Sequence, residues 1–271
     1  VRIDGVPIDS VKQTKFLGVI IDHQLNWKQH ISKVISQVSR NVGILNKMKF
    51  FFPKQILFSL YNTLILPHIS YCAIAWAVTT LPTLCPWTST NTSKLDKIFT
   101  LQKKALRICT GSEYLSHSKR LFHDLKTLNV FDINKLQIAQ FMFQFNQNLL
   151  PNSFNNLFIK NKDIHHYFTR NANKYVTSHS KLKIQRESVF YYGPKLWNSL
   201  NDSLIKSKTL YIFKSNYKHT LISDYIWSIL VPSYSIHACL WARSLPFLSC
   251  LCPDYCSVSK TWMFSFCLTI L

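Results

Sequence analysis

The sequence predicts a mainly α protein, in which a helical bundle follows a small N-terminal β-hairpin element. Between residues 26 and 150, apolar residues recur at intervals of three and four, which is typical of amphipathic helices. Nearer the N-terminus, short extended runs flank an Asp-Gly pair. With 47% hydrophobic residues, the 271-residue chain has enough apolar material for a core.

The β element is predicted from two stretches. Asp4-Gly5 lies between Arg2-Ile3 and Val6-Pro7, and both turn residues tolerate a positive φ, so the stretch indicates a hairpin. A second extended run covers residues 15–21 and contains Gly18. Glycine inside a strand usually marks a bulge or the close approach of another backbone, and we expect one of these at Gly18.

The first long helix is predicted to start at Asn26, which would cap it with Gln29 as the reciprocal partner of a capping box. A second helix should follow with Pro53 in its first turn and be kinked or ended by Pro67. The apolar stripe of the first helix consists of Trp27, Ile31, Val34, Ile35, Val38, Val42, Leu45 and Met48.

Residues 55–93 contain no charged side chain, and the part over 63–81 is long enough to suggest a membrane span. Pro67 and His68 interrupt it, and Tyr, Ser and Thr are frequent. A helix buried on all sides of a globular core explains the run equally well, and we favour that interpretation.

Further helices are predicted downstream. Residues 80–93 indicate a loop, after which Ser93 and Asp96 form a capping-box pattern and Gly111 a stop. The apolar side of that helix is Leu95, Ile98, Phe99, Ala105, Leu106 and Ile108. Other helices are expected over 118–128 and 132–150, after Pro194, and over 213–222, with an irregular stretch over 151–190.

Charge is the most unusual property of the chain. Its 32 Lys and Arg against 12 Asp and Glu give a net charge of +20. Residues 1–226 hold 30 basic and 11 acidic side chains, a net charge of +19, whereas residues 227–271 are nearly neutral, apolar and rich in cysteine. Such an excess favours a polyanionic partner, above all nucleic acid. An anionic membrane surface, or a basic surface without such a partner, are the alternatives.

Catalytic and metal-binding patterns are weak. The acids are sparse and show no Asp-Asp, D-x-D or D-x-E pattern, so we expect no autonomous metal-dependent phosphoryl-transfer centre and no catalytic residue. Cys250, Cys252 and Cys256, with His237, lack zinc-ligand spacing and are better explained as free cysteines. The eight cysteines do not resemble a disulfide framework, which favours a reducing compartment.

The helix over 94–109 carries the clearest binding pattern. Lys97, Lys104 and Arg107 fall at i, i+7 and i+10, with Lys103 alongside. Cations one or two turns apart match successive phosphates of a nucleic acid. A solvated basic face is the alternative. In the polar stretch, His165-His166 and Arg170 indicate a surface or a nucleic-acid-facing role rather than a metal site.

Several segments together resemble one family, the reverse transcriptases of non-LTR (LINE-type, jockey-like) retrotransposons, in the region that follows the catalytic motifs. They occur in the expected order and span about residues 3–222. The segments are "IDGVPIDSVKQTKFLGVIIDHQLNWKQHI", "LYNTLILPHISYCAIAW", "LQKKALRICTG", "HHYFTRN", "YYGPKLWNSL" and "FKSNYKHTLI".

The resemblance implies roles for these segments. In such enzymes a β-hairpin after the palm holds the primer 3′ end, and Phe16, Leu17 and Gly18 match its motif. The helices from Trp27 onward resemble the thumb, which clamps the template–primer duplex. The segment with Lys103, Lys104 and Arg107 matches a basic motif of the family.

Three features depart from the family. The family's catalytic aspartates should lie upstream of Val1 and are absent from this sequence. Residues 78–91 look inserted, and the tail after Tyr225 does not match. We therefore expect a thumb and C-terminal segment without a palm, inactive alone and without a cofactor, although the parent enzyme would use Mg²⁺. The tail is expected to be unrelated or disordered.

The resulting hypothesis is a template–primer-binding portion of a reverse transcriptase, with a helical thumb-like bundle. It divides the chain into a primer-grip-like hairpin (1–25), a thumb-like region (26–150), a basic region (151–226) and an apolar tail (227–271). Expected partners are RNA and DNA, as a hybrid, and a palm-containing polymerase segment, in the nucleus, the cytoplasm or both. The alternatives are a membrane-associated protein using the uncharged 55–93 run and the apolar tail, and a helical interaction module or decayed retroelement fragment.

Overall fold

The computed structural model describes residues 2–3, 6–7, 11–77, 94–114, 116–164, 170–177, 185 and 188–230. By its internal contacts the chain divides into two compact units, Val1–Ile226 and Trp227–Leu271. The first unit contains the described strands and helices, and its final helix continues to Leu230. The fold is mainly α with small antiparallel strand pairs at the N-terminus, as the sequence predicts.

The N-terminal β element consists of two hairpins. Strands β1 (Arg2–Ile3) and β2 (Val6–Pro7) pair antiparallel, with Ile3 opposite Val6, and the predicted turn residues Asp4 and Gly5 lie outside the described residues. Strands β3 (Gln13–Phe16) and β4 (Val19–Asp22) pair with Phe16 opposite Val19, which leaves Leu17 and Gly18 as the turn.

The expected strand-interior position of Gly18 is wrong. The run over 15–21 is two strands joined by a turn, and both turn residues have a positive φ, 46° at Leu17 and 84° at Gly18. This is the pattern of a type I′ hairpin turn, whose twist suits the flanking strands. A Cβ built on Gly18 would meet Tyr71 Cε1 at 3.8 Å, an ordinary contact. The backbone conformation, rather than crowding, therefore favours glycine here.

Helix α1 (Lys28–Met48) begins one residue later than predicted, with Trp27 rather than Asn26 as its N-cap. The buried carboxylate of Asp22 accepts hydrogen bonds from the backbone N–H groups of Asn26 (3.3 Å) and Trp27 (3.0 Å). The Asn26 side chain still caps the helix, since its Oδ1 accepts from the Lys28 N–H at 3.0 Å, but Asp22 rather than Gln29 is the partner of the Asn26 N–H. The predicted stripe is otherwise confirmed, with Ile31, Val34, Val38, Val42 and Leu45 buried.

Helices α2 (Lys54–Leu64), α3 (Leu66–Ser70) and α4 (Ala73–Trp76) follow. Pro53 is the N-cap of α2, and Pro67 lies in the first turn of α3, so the chain bends there as expected. Among the described helices, none combines the length and the apolar character that a membrane crossing requires. The predicted loop over 80–93 lies outside the described residues.

Helices α5 (Lys94–Thr110), α6 (Ser118–Asp124) and α7 (Val130–Asn146) form the centre of the bundle. The predicted stop at Gly111 is confirmed, and Ser93 of the expected capping box lies outside the described residues. Helices α6 and α7 each end four residues earlier than predicted. Lys126 and Asn148 adopt a left-handed conformation there, and the following residues bond back across the last turn (Thr127 N to Phe122 O, Leu149 N to Gln144 O).

Beyond α7, short 3₁₀ turns (Asn152–Phe154, Asn161–Asp163) and one bridge between Lys160 and Tyr175 occupy the stretch predicted to be irregular. Helix α8 (Val189–Asn198) starts before Pro194, which corrects the expected start after it. Gly193 and Pro194 are buried, and a Cβ on Gly193 would lie only 2.9 Å from Met142 Sδ of α7. Close packing of α8 on α7 holds the proline inside the helix.

The last described elements are α9 (Asp202–Ile205) and α10 (Leu210–Leu230), which extends the helix predicted over 213–222 at both ends. The core is continuous through α1, α2, α5 and α7, and α5 packs against both α1 and α2. The side chains of these helices that point away from the shared core therefore form most of the helical surface.

Candidate nucleic-acid interface

The β3–β4 turn projects from the bundle with its backbone fixed at two points. The Tyr71 hydroxyl donates a 2.6 Å hydrogen bond to the Leu17 carbonyl, and Lys33 Nζ donates to the Gly18 carbonyl at 3.1 Å. The side chains of Phe16 and Leu17 are 62% and 74% exposed. Lys33 and Tyr71, which are far apart in sequence, thus hold the hairpin tip, Phe16–Leu17–Gly18, with its apolar side chains exposed to solvent.

A cavity of about 280 Å³ lies behind this tip, between the turn, α1 and α3. Its polar lining comes from His30, Lys33, Gln37, His68 and Tyr71, with no carboxylate among the described lining residues. The Tyr71 hydroxyl proton is already donated to the Leu17 carbonyl, which leaves Lys33, Gln37 and the two histidines as possible donors around this space. The cavity is therefore suited chemically to an anionic or carbonyl-bearing group.

His30 is the buried member of this lining. Its Nδ1 accepts a hydrogen bond from the Ile20 N–H at 3.4 Å, and its ring packs edge-on against Trp76 with centroids 5.5 Å apart. Its Nε2 is buried without a partner among the described residues. Burial and the charge of Lys33 lower the pKa of His30, so the neutral imidazole is the favoured form at neutral pH.

The structure divides the predicted cationic row of α5 into two kinds of residue. Lys97 and Lys104 are exposed, whereas Lys103 and Arg107 are half-buried. Lys103 Nζ lies 4.4 Å from the centroid of the Phe99 ring. Lys97 and Lys104 are therefore the members best placed to meet an external phosphate.

The Arg107 side chain is held by contacts within the protein. Its Nη2 donates to the Ser116 carbonyl at 3.0 Å, and its guanidinium lies 5.9 Å from the centroid of the exposed Tyr114 ring. Its Nε is buried with no partner among the described residues. Arg107 thus anchors the loop after α5 while part of its guanidinium charge remains near the surface.

Basic side chains far outnumber acidic ones on α1 and α5, where the one acid is Asp96 in the first turn of α5. The sequence has no Asp or Glu from residue 23 to residue 95. The ion pairs within the described part of the chain involve Arg120, His123 and Lys135, none of them on α1 or α5. The packed pair α1–α5 therefore presents a positively charged surface.

The remaining predicted residues have separate positions. Arg170 is exposed in a turn, and no described contact joins it to the hairpin tip or to α5. His165 and His166, and the tail cysteines with His237, lie outside the described residues. Among the residues that the structure describes, no group of three potential ligands could hold a metal ion. Cys72 and Cys109 are free thiols, and burial raises the pKa of Cys109 to about 12.

Four residues around the site were missed in the sequence: His30, Lys33, Lys54 and Tyr71. Lys54, at the start of α2, lies beside Gly111 at the end of α5, since a Cβ there would be 3.6 Å from Lys54 Cε. The contacts of Tyr71 and Lys33 reach 54 and 15 residues back along the chain, and local patterns carry no sign of them.

Comparison with known proteins gives one informative match. No family model matches the chain, and no solved structure matches it. The chain is 26% identical over 141 residues to the probable RNA-directed DNA polymerase from transposon X-element of Drosophila melanogaster. The aligned part is 50% of this chain and only 14% of that relative. Half of the chain is therefore related in sequence to a transposon reverse transcriptase, a much longer protein.

Proposed function

We propose that this chain is the template–primer-binding portion of a non-LTR retrotransposon reverse transcriptase and lacks the catalytic palm. The observation that carries the proposal is the excess of basic side chains on α1 and α5, where α1 has no acid and α5 has one, Asp96. The similarity to a transposon RNA-directed DNA polymerase supports it. Its ligand is an RNA–DNA hybrid, and its site of action is the nucleus, the cytoplasm or both.

In this proposal α5 contacts the phosphate backbone of the duplex. Lys97 and Lys104 are exposed and seven residues apart, about 10 Å along a helix axis. That distance corresponds to roughly three base-pair steps of a duplex, so both ammonium groups reach phosphates of the same strand. Contacts of this kind fix the position of the duplex without reading its sequence.

The hairpin tip has the second role. Phe16 and Leu17 are apolar, exposed and held by the bonds from Tyr71 and Lys33, so they offer a rigid edge against a sugar or base at the primer end. We assign the tip to primer positioning, the helices over 26–150 to the thumb, and Arg170 to an outlying phosphate contact. Polymerisation then requires a palm-containing segment that supplies the carboxylates and their Mg²⁺.

The test is a titration of the full chain with a labelled RNA–DNA hybrid from about 50 to about 200 mM salt. The wild-type protein should show a steep fall of log affinity with log salt. The variant Lys97→Glu/Lys104→Glu should bind more weakly and lose about two units of that slope. The matched control, Lys206→Glu/Lys208→Glu, makes the same charge change at exposed positions around α9.

Equal losses in both variants would mean that only the overall charge matters. Unchanged binding in the Lys97/Lys104 variant would exclude α5 as the phosphate contact. A wild-type protein that does not bind the hybrid at low salt would favour a helical interaction module instead.

A further inference from the structure

The turn between α1 and α2 carries consecutive phenylalanines on the protein surface. Phe50 and Phe51 are 78% and 77% exposed. Lys47, Lys49 and Lys54 surround them and are exposed as well. We refer to Phe50, Phe51 and these three lysines as the aromatic tip. Two adjacent phenylalanine rings in water are costly, and exposed apolar groups of this kind usually mark an interaction site.

Backbone hydrogen bonds close the turn that carries both rings. The N–H groups of Phe51 and Phe52 bond to the Met48 carbonyl at 3.0 and 3.1 Å, which closes the end of α1. Pro53 then starts α2 with an extended conformation. Leu45 and Leu57, on the helices before and after the turn, are buried in the core, whereas the two rings of the turn lie on the surface.

The charge around the rings points to a polyanion. Lys49 Nζ lies 4.9 Å from the centroid of the Phe50 ring. Lys54 lies beside Gly111, three residues before Tyr114, whose ring is also exposed and lies near the Arg107 guanidinium. The tip therefore adjoins a second place where a cation and an exposed aromatic ring occur together.

We propose that the aromatic tip binds single-stranded nucleic acid, with unpaired bases stacked on Phe50 and Phe51 and phosphates on Lys47, Lys49 and Lys54. In a duplex the base faces are covered by neighbouring base pairs, so exposed rings can stack only on unpaired bases. The inference rests on the proposed nucleic-acid role. It adds a site for a single strand that is distinct from the duplex contact on α5.

The experiment compares two ligands with the same phosphates, an oligothymidylate of about 20 nucleotides and an abasic strand of equal length. The full chain should bind oligothymidylate about tenfold more tightly than the abasic strand. Phe50→Ala/Phe51→Ala should lose that preference and keep its affinity for the abasic strand. Tyr211→Ala, which removes an 80% exposed ring from α10, should keep the preference. Circular dichroism melts verify that both variants fold.

Three results would overturn the inference. The first is a wild-type protein without preference for bases, and the second is a Phe50/Phe51 variant that retains it. The third is a variant that loses binding only to vesicles of phosphatidylserine and phosphatidylcholine, which would make the tip a membrane contact. If the wild-type protein binds the RNA–DNA hybrid but prefers no bases, this inference alone fails. If it binds neither strand nor hybrid, the proposed function fails as well.

Discussion

The Tyr225 hydroxyl donates a 2.6 Å hydrogen bond to Oδ2 of Asp132, joining α10 to the first turn of α7. Asn129 Nδ2 donates to the same carboxylate oxygen at 2.7 Å, and Lys135 Nζ lies 2.9 Å from the other oxygen. Burial and the adjacent carboxylate raise the pKa of Tyr225, so its hydroxyl remains a donor at physiological pH. This buried network attaches the C-terminal helix to the centre of the bundle.

Replacing Tyr225 with Phe should destabilise the protein by about 2 kcal/mol, because a hydrogen bond to a buried charged group is lost. Urea unfolding at neutral pH measures the change. Tyr211→Phe is the control, since Tyr211 lies on the same helix and is exposed. Equal stabilities of the Tyr225 variant and the wild-type protein would show that the bond contributes nothing.

The hydrogen bonds of Gln102 lead to a second prediction. This fully buried side chain of α5 donates to the Tyr61 hydroxyl and the Leu128 carbonyl, and accepts from the Val130 N–H at 3.0 Å. Gln102→Leu leaves buried backbone groups without partners, and we expect a loss of about 3 kcal/mol. Gln55→Leu, on an exposed face of α2, should change the free energy of unfolding by less than about 0.5 kcal/mol. A similar effect of both changes would contradict the assignment.

The glycines of the hairpin turn and of α1 predict opposite effects of alanine. Gly18→Ala places a Cβ on a residue with φ of 84° and should cost about 1 kcal/mol. Gly43 lies inside α1 with open space at its Cβ position, so Gly43→Ala should stabilise the helix by about 0.8 kcal/mol. Thermal unfolding of the two variants checks the signs, and two shifts in the same direction would refute the turn assignment.

The lowered pKa of His30 makes the stability of the folded protein depend on pH. Its pKa in the folded protein is lowered from 6.5, so below about pH 6.5 the unfolded chain binds a proton that the folded protein does not. This contribution reduces stability as the pH falls from 6.5 toward the pKa of the folded state, and it vanishes above 6.5. Urea midpoints between about pH 5 and pH 8 should vary less for His30→Gln than for the wild-type protein. The exposed His219→Gln serves as control, and parallel curves for His30→Gln and wild type would contradict the prediction.

Local sequence patterns were sufficient to predict the features that depend on residues close together in the chain. The stripe of α1 was predicted because burial of one helix face depends on a spacing that the sequence displays directly. Gly111 was identified as a stop because it adopts a positive φ readily. Lys126 and Asn148 end their helices in the same conformation. Lysine has no preference for it, so the end of α6 was missed. Asparagine does favour it, but the end of α7 was placed at residue 150, before Pro151.

The candidate site was harder to predict because its residues meet through tertiary contacts. The sequence selected Phe16, Leu17 and Gly18 through a family resemblance, whereas Tyr71 and Lys33, which hold their carbonyls, gave no signal. The exposure of Phe50 and Phe51 was equally invisible, since three consecutive phenylalanines resemble core residues until the turn that holds them is known.

The sequence by itself determined the helical class, the positive charge and the relationship to a transposon polymerase, because composition, periodicity and similarity reside in the residues. Tertiary structure decided what each cation can do. Lys97 and Arg107 belong to one predicted row, yet packing leaves Lys97 exposed and binds Arg107 to the Ser116 carbonyl. The physical reason is that the availability of a charge depends on its neighbours in space, which only the folded chain brings together.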